Sequence, residues 1–207
     1  MPLAITSASA YFDSLSTAVS KLSADGIEEI AEALLVTYDR GGKVLLFGNG
    51  GSASLASHFA CDLGKGTSNG RQRKRFRAIA LTDNIPMMTA WANDSSYEDI
   101  FSEQMINLVE AGDVAFAISG SGNSPNVLKA LHTAREAKAV CIGLTGFQGG
   151  KMKSICDICF VVPSDNMQII EDLHLSIAHA LFSTIRHQLE HGRIRPKLAA
   201  NNYSGTF

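Results

Sequence analysis

Five short apolar runs, at residues 44–47, 78–81, 114–118, 140–144 and 158–162, alternate with segments of helical periodicity. Each is of strand length and is bounded on at least one side by glycine, serine, aspartate or proline. An unbroken apolar run suits a strand covered on both faces, which is the condition of a parallel sheet. Helical patterns at 52–64, 84–92 with 97–110, 124–137 and 149–155 supply the crossovers, and 167–191 reads as a long final helix. Two more helices precede the sheet, at 4–22 and 26–40, and Gly41-Gly42 breaks the second. The alternation predicts an α/β fold, a doubly wound parallel sheet. Residues 1–192 are expected to form one domain with an N-terminal helical extension, and 193–207 a C-terminal tail.

Open parallel sheets bind ligands beyond the carboxyl ends of their strands, where the strand order reverses. Two glycine/serine loops stand at such ends. The first, Gly48-Asn49-Gly50-Gly51-Ser52, runs from a strand into a helix, where free backbone N–H groups and the helix dipole favour an anion. The second is Ser119-Gly120-Ser121-Gly122-Asn123-Ser124. It offers three hydroxyls, free amides and a serine at the start of the next helix to one phosphate. No Gly-Lys-Ser/Thr triplet follows, so this is not a nucleoside-triphosphate loop. The first turn also lacks the third glycine of a dinucleotide fingerprint. A phosphorylated small molecule is the expected ligand.

Composition narrows the class. With 207 residues the chain has length for a sizeable core. Charged residues make up 18% and mean hydropathy is +0.07, so part of the apolar surface is expected between subunits of a homo-oligomer. A net charge of −2 gives no global attraction to nucleic acid or to anionic membranes. No apolar run approaches the ~18 residues of a membrane span, and no secretory signal is recognisable. The CxxC at Cys156–Cys159 has no second CxxC to complete a zinc site and leads into an apolar run. With Cys61 and Cys141 it is expected to be reduced, in a cytoplasmic protein. The basic run from Arg71 to Arg75 reads as a solvated loop or as an attraction for an anionic substrate or partner.

The helix after the first loop carries His58 and Asp62 at i, i+4, on one face that can line the same crevice. The final helix carries Glu171 and His179, eight residues and so ~80° apart around its axis. His58, Asp62, Glu171 and His179 together make a nitrogen/oxygen set able to hold Zn²⁺ or a similar divalent ion. The same set could work without metal as general acid and base.

The order of Gly48–Ser52, His58-Phe59-Ala60-Cys61-Asp62, Ala92-Asn93-Asp94, Ser119–Ser124 and Glu171–His179 resembles that of bacterial phosphoheptose isomerases (sedoheptulose 7-phosphate isomerases), within the SIS-domain sugar-phosphate superfamily. The resemblance covers nearly the whole chain. It implies a flavodoxin-like five-stranded sheet and a homotetramer with sites at subunit junctions. It implies isomerisation of sedoheptulose 7-phosphate to D-glycero-D-manno-heptose 7-phosphate, feeding lipopolysaccharide-type heptose synthesis. Positions matching Ser52, Ser119, Ser121 and Ser124 bind phosphate in that family. Those matching Asn49, Gly50, Gly51, Asn93 and Asp94 touch the sugar. Those matching His58, Asp62, Glu171 and His179 hold zinc where zinc is seen, and Asp62 and His179 match the proton-transfer pair.

Three positions depart from the family pattern, which has glutamate at Asp62, glutamine at Glu171 and threonine at Gly120. The shorter Asp62 withdraws its carboxylate by ~1.5 Å, about one C–C bond. Glu171 adds a negative charge, which a divalent cation would offset. Gly120 loses a phosphate-facing hydroxyl and keeps its amide. Two other readings stay open. One is an SIS-domain enzyme on a different sugar phosphate. The other is a non-catalytic regulator that binds phosphosugar or the replication initiator, although the initiator-binding relative lacks the histidine matching His179.

Overall fold

The computed structural model describes residues 5–68 and 74–192. The tail expected at 193–207, and Arg71 to Arg73 of the basic run, lie outside the described residues. In chain order the elements are α1 (Ala8–Val19), α2 (Ala24–Arg40), β1 (Lys43–Gly48), α3 (Gly51–Cys61), β2 (Arg77–Ala80), α4 (Ile85–Asp94), α5 (Ser102–Leu108), β3 (Val114–Ile118), α6 (Pro125–Glu136), β4 (Val140–Thr145), α7 (Met152–Ile155), β5 (Ile158–Val161) and α8 (Met167–His191). A π-helical turn over Asp62–Gly66 follows α3, and a 3₁₀ turn over Tyr97–Asp99 follows α4.

The five strands form one parallel sheet in the order β2-β1-β3-β4-β5. The order reverses between β1 and β3, whose register pairs Val44 with Val114 and Gly48 with Ile118. Both strands therefore end at the same level, and the two glycine/serine loops leave the sheet side by side. Gly48 allows this closeness. A Cβ there would lie 2.5 Å from the Ile118 carbonyl oxygen and 2.8 Å from Ser52 Cβ.

Adjacent side chains of β1 enter opposite cores. Val44 and Leu46 pack with Phe59, Phe116, Leu173 and Ile177 beneath α2, α3 and α8. Leu45 and Phe47 pack with Phe101, Met105, Leu131 and Met152 beneath α5, α6 and α7. Both faces are covered, which is why the strands read as continuous apolar runs.

Local chemistry sets the helix limits. Ser7, Ser23, Asn84 and Asn166 each accept a hydrogen bond from a first-turn backbone N–H of α1, α2, α4 and α8. Gly41, at φ +75°, closes α2 in the left-handed conformation. α1 starts at Ala8, four residues later than periodicity suggested, because the Ser7 cap fixes its origin. The chain continues from α3 into the wider turn rather than as plain α-helix to residue 64. A Cβ on Gly66 would lie 2.7 Å from Phe182 Cε2, so glycine lets the wide turn lie against α8 without moving that ring. Tyr11 ties α1 to α8 through a 2.5 Å hydrogen bond to Asp172, which pushes the tyrosine pKa up to about 12. No helix among the described residues is long and apolar enough to cross a membrane.

Candidate functional site

α3 and α8 pack against each other and line a cavity of about 310 Å³ beside the first glycine/serine turn. Its walls include Gly51, Ser52 and His58 from α3, and Glu171, Asp172 and His174 from α8. The helical spacing read in the sequence accounts for this convergence.

His58, which lines the cavity, comes together with Asp62 and His179 beside it. The Nε2 atoms of His58 and His179 stand 3.1 Å apart, and Asp62 Oδ2 is 3.3 Å from His58 Nε2. One ligand atom from each of the three lies within 4.8 Å of the others. Asp62 Oδ2 is buried and makes no hydrogen bond of good geometry. Two facing imidazole nitrogens need a proton or a cation between them, and the carboxylate adds a negative charge directed at the same point. Ligands at the vertices of a tetrahedron around zinc are about 3.3 Å apart, close to the spacing here. The donor set therefore fits a divalent ion as well as an acid–base pair. Although shortened, Asp62 reaches His58 from the first residue of the π turn, a device common where a helix must re-aim a functional side chain.

Glu171 stands apart from these three. Its carboxylate lies over Gly51, where a Cβ would be 2.8 Å from Glu171 Oε2. A carboxylate at the first turn of α3 interacts favourably with the helix dipole. Glu171 thus faces the cavity from the first glycine/serine turn rather than from beside His58 and His179.

In the second loop, Ser119 and Ser124 hydroxyls are 3.3 Å apart, and Ser121 Oγ accepts from the Asn123 amide. Ser119 and Ser52 are both buried, and Ser52 lines the cavity. Gly120 is filled from outside. A Cβ there would be 2.5 Å from Met167 Sδ, so the thioether occupies the space of a larger side chain. Asn93 and Asp94 end α4, both exposed and hydrogen-bonded to each other at 2.8 Å. Asn49 is held by Asn126 of α6 and by Tyr97. Neither was singled out from sequence, although Asn126 follows the second loop by two residues.

His174 also lies on α8 and lines the cavity. It is 1% exposed, and neither ring nitrogen has a hydrogen-bond partner of good geometry. Burial pushes its pKa down from 6.5 to about 4, with the backbone of Thr145 acting weakly the other way. The unfolded chain therefore binds this proton more readily than the folded one between those values. Stability is full above pH 6.5 and falls as pH drops toward 4, by about 3 kcal/mol in all. Urea midpoints across this range should fall steeply in the wild type and less in His174→Leu.

A crevice at the strand-order reversal, two glycine/serine loops and a His/Asp/His group place the molecule in the class of sugar-phosphate-binding α/β domains. Residues 10–146 match the SIS domain family, to which the chain belongs, and within it the chain belongs to the phosphoheptose isomerase family. It is 43% identical over 159 residues to the phosphoheptose isomerase of Helicobacter hepaticus, covering 77% of this chain and 80% of that one. The solved phosphoheptose isomerase structure from Neisseria gonorrhoeae superimposes with a TM-score of 0.80 at 34% identity, over 86% of this chain and 96% of that one. That from Francisella tularensis gives 0.81 at 33% identity, with the same coverage.

Proposed function

We propose that the protein is an aldose–ketose isomerase that converts sedoheptulose 7-phosphate to D-glycero-D-manno-heptose 7-phosphate. The observation that carries this reading is the convergence of His58, Asp62 and His179 beside the cavity that His58 and Ser52 line. Family membership supplies the substrate.

The open-chain ketose would lie with its phosphate against Ser52, Ser119, Ser121 and Ser124, and against the free amides of both loops. Asn49, Gly50, Gly51, Asn93, Asp94, Gly120 and Glu171 would meet the sugar. Asp62 and His179 form the proton-transfer pair. One removes a proton from C1, whose electrons form the C1=C2 bond as the C2 carbonyl oxygen takes up a proton. The cis-enediol then loses the proton on O1, C1 becomes the carbonyl and C2 accepts a proton. His58, Asp62 and His179 would hold a zinc ion. Such an ion would polarise the carbonyl and stabilise negative charge on the enediol oxygens. Exposed Phe12 and Val19 on α1 and Ile106 on α5 are apolar surface that a homotetramer would bury.

Conversion of sedoheptulose 7-phosphate, followed by phosphate-ester NMR with and without a chelator and added zinc, tests the reading. Turnover is expected, with loss on chelation and recovery on adding zinc. No conversion under either condition would overturn the substrate assignment. Turnover untouched by a chelator would leave the isomerase and remove the metal.

A further inference from the structure

Asn49 opens the first loop, and its side chain is not free to choose what it presents. Its Nδ2 donates to Asn126 Oδ1 at 2.9 Å, and Asn126 Nδ2 donates back to Asn49 Oδ1 at 2.8 Å. Tyr97 donates its hydroxyl to the same Asn49 oxygen at 3.2 Å. A reciprocal amide pair alone would hold equally well with both amides turned over. One backbone group removes that freedom. The Val127 N–H, which can only donate, lies 2.9 Å from Asn126 Oδ1 at the start of α6. This sets the oxygen of Asn126, which sets the nitrogen of Asn49, which directs the tyrosine hydroxyl.

The inventory of Asn49 then closes. Both lone pairs of its oxygen are used and one of its two N–H donors is used. What remains is a single N–H. We infer that Asn126 and Tyr97 are positioning residues that lock Asn49 as a pure hydrogen-bond donor toward an oxygen of the bound sugar phosphate. The lock spans both loops of the site, because Asn126 belongs to the helix that the second loop begins and Tyr97 follows α4. Asn126 is 2% exposed, so its amide is held in a place from which water is excluded. A hydroxyl, carbonyl or phosphate oxygen satisfies the free N–H, whereas an ammonium or amide donor at the same place meets a like group. The lock thus selects oxygen over amine at that position of the ligand.

This inference rests on the phosphosugar reading, and the kinetics of sedoheptulose 7-phosphate isomerisation test both separately. Asn126→Asp keeps the shape and still accepts from Val127, but it cannot donate to Asn49. The carboxylate sets an oxygen against the Asn49 oxygen in either orientation of the Asn49 amide, so the amide loses its fixed orientation and its free N–H is no longer reserved for the ligand. KM should rise about tenfold or more, with a smaller change in kcat and with circular dichroism unchanged. Tyr97→Phe, at an exposed position, removes one of the two bonds to Asn49 Oδ1 and should raise KM about two- to threefold. In an Asn49→Ala background neither substitution should have any further effect, because the group they orient is gone. Unchanged KM in Asn126→Asp overturns the inference, as does an equal loss in the Asn49→Ala background. If Asn126→Asp does not fold, Tyr97→Phe decides alone by the same cycle. A wild-type protein that converts no sedoheptulose 7-phosphate overturns the isomerase reading and this inference with it.

Discussion

Replacing His179 by alanine, or Asp62 by asparagine, is expected to lower kcat about 10²- to 10⁴-fold, the range of a positioned acid or base. The fold should survive both changes. His179 is exposed, and Asp62 is part-buried at the start of a turn whose own bonds do not use its carboxylate. Asp62→Asn removes the charge that faces the two imidazoles while keeping the size of the group. Thermal midpoints should therefore stay within a few degrees of the wild type. His58→Ala separates two versions of the chemistry. If the three side chains act on a bound ion, its loss should match that of His179→Ala and bound zinc should fall in elemental analysis. If only Asp62 and His179 carry protons, His58→Ala should cost less, because it removes a neighbour of the pair and not a member. Phosphate-ester NMR reads the rate in each case, and full activity in His179→Ala or Asp62→Asn would end the proton-transfer assignment.

These side chains could be found in the sequence because helical spacing is a strong constraint. His58 and Asp62 share a face at any helix boundary within a residue or two, and α8 is long enough that Glu171 and His179 keep their relation. The strands were legible for a related reason. Burial on both faces leaves them no polar side to confuse with a helix, and all five lie within two residues of the apolar runs. What stayed hidden depends on neighbours distant in sequence. The π turn at Asp62–Gly66 adds one residue to a helical cycle, and the Phe182 ring packed against its Gly66 lies on another helix. Glu171 shares a cavity with His58 but stands over Gly51, a distinction that an angle around one helix axis cannot make. Nothing in the sequence marks Asn126. Its role emerges only where β1 and β3 adjoin and bring Asn49 within hydrogen-bonding reach.

The second glycine/serine loop, proposed to hold the phosphate, offers the other large effect. Gly122→Ala is expected to destabilise the protein by about 2–5 kcal/mol and to raise KM for the sugar phosphate more than tenfold. Gly122 sits at φ +64°, a conformation that costs an L-residue about 1–2 kcal/mol by itself. The rest comes from contact. An alanine Cβ would fall 2.2 Å from the Gly149 carbonyl oxygen and 2.8 Å from Thr145 Oγ1, and the first of these is backbone. The opposite loop cannot retreat easily. Gly150 itself has no room for a Cβ beneath Ser121 and Gly122, and three bonds bind the loops together, Met152 N–H to Gly122 O, Gly146 N–H to Gly120 O and Lys151 N–H to Asn123 Oδ1. A shift of the second loop large enough to admit a methyl group would carry Ser121 and the amides around it away from the phosphate. Gly41→Ala is the control. It has φ +75° with nothing within 4 Å of the added carbon, so it bears the backbone cost alone. Its thermal midpoint should fall by a few degrees, with KM unchanged. If Gly122→Ala behaves like Gly41→Ala in both measurements, the second loop is not the rigid phosphate grip that its close backbone packing requires.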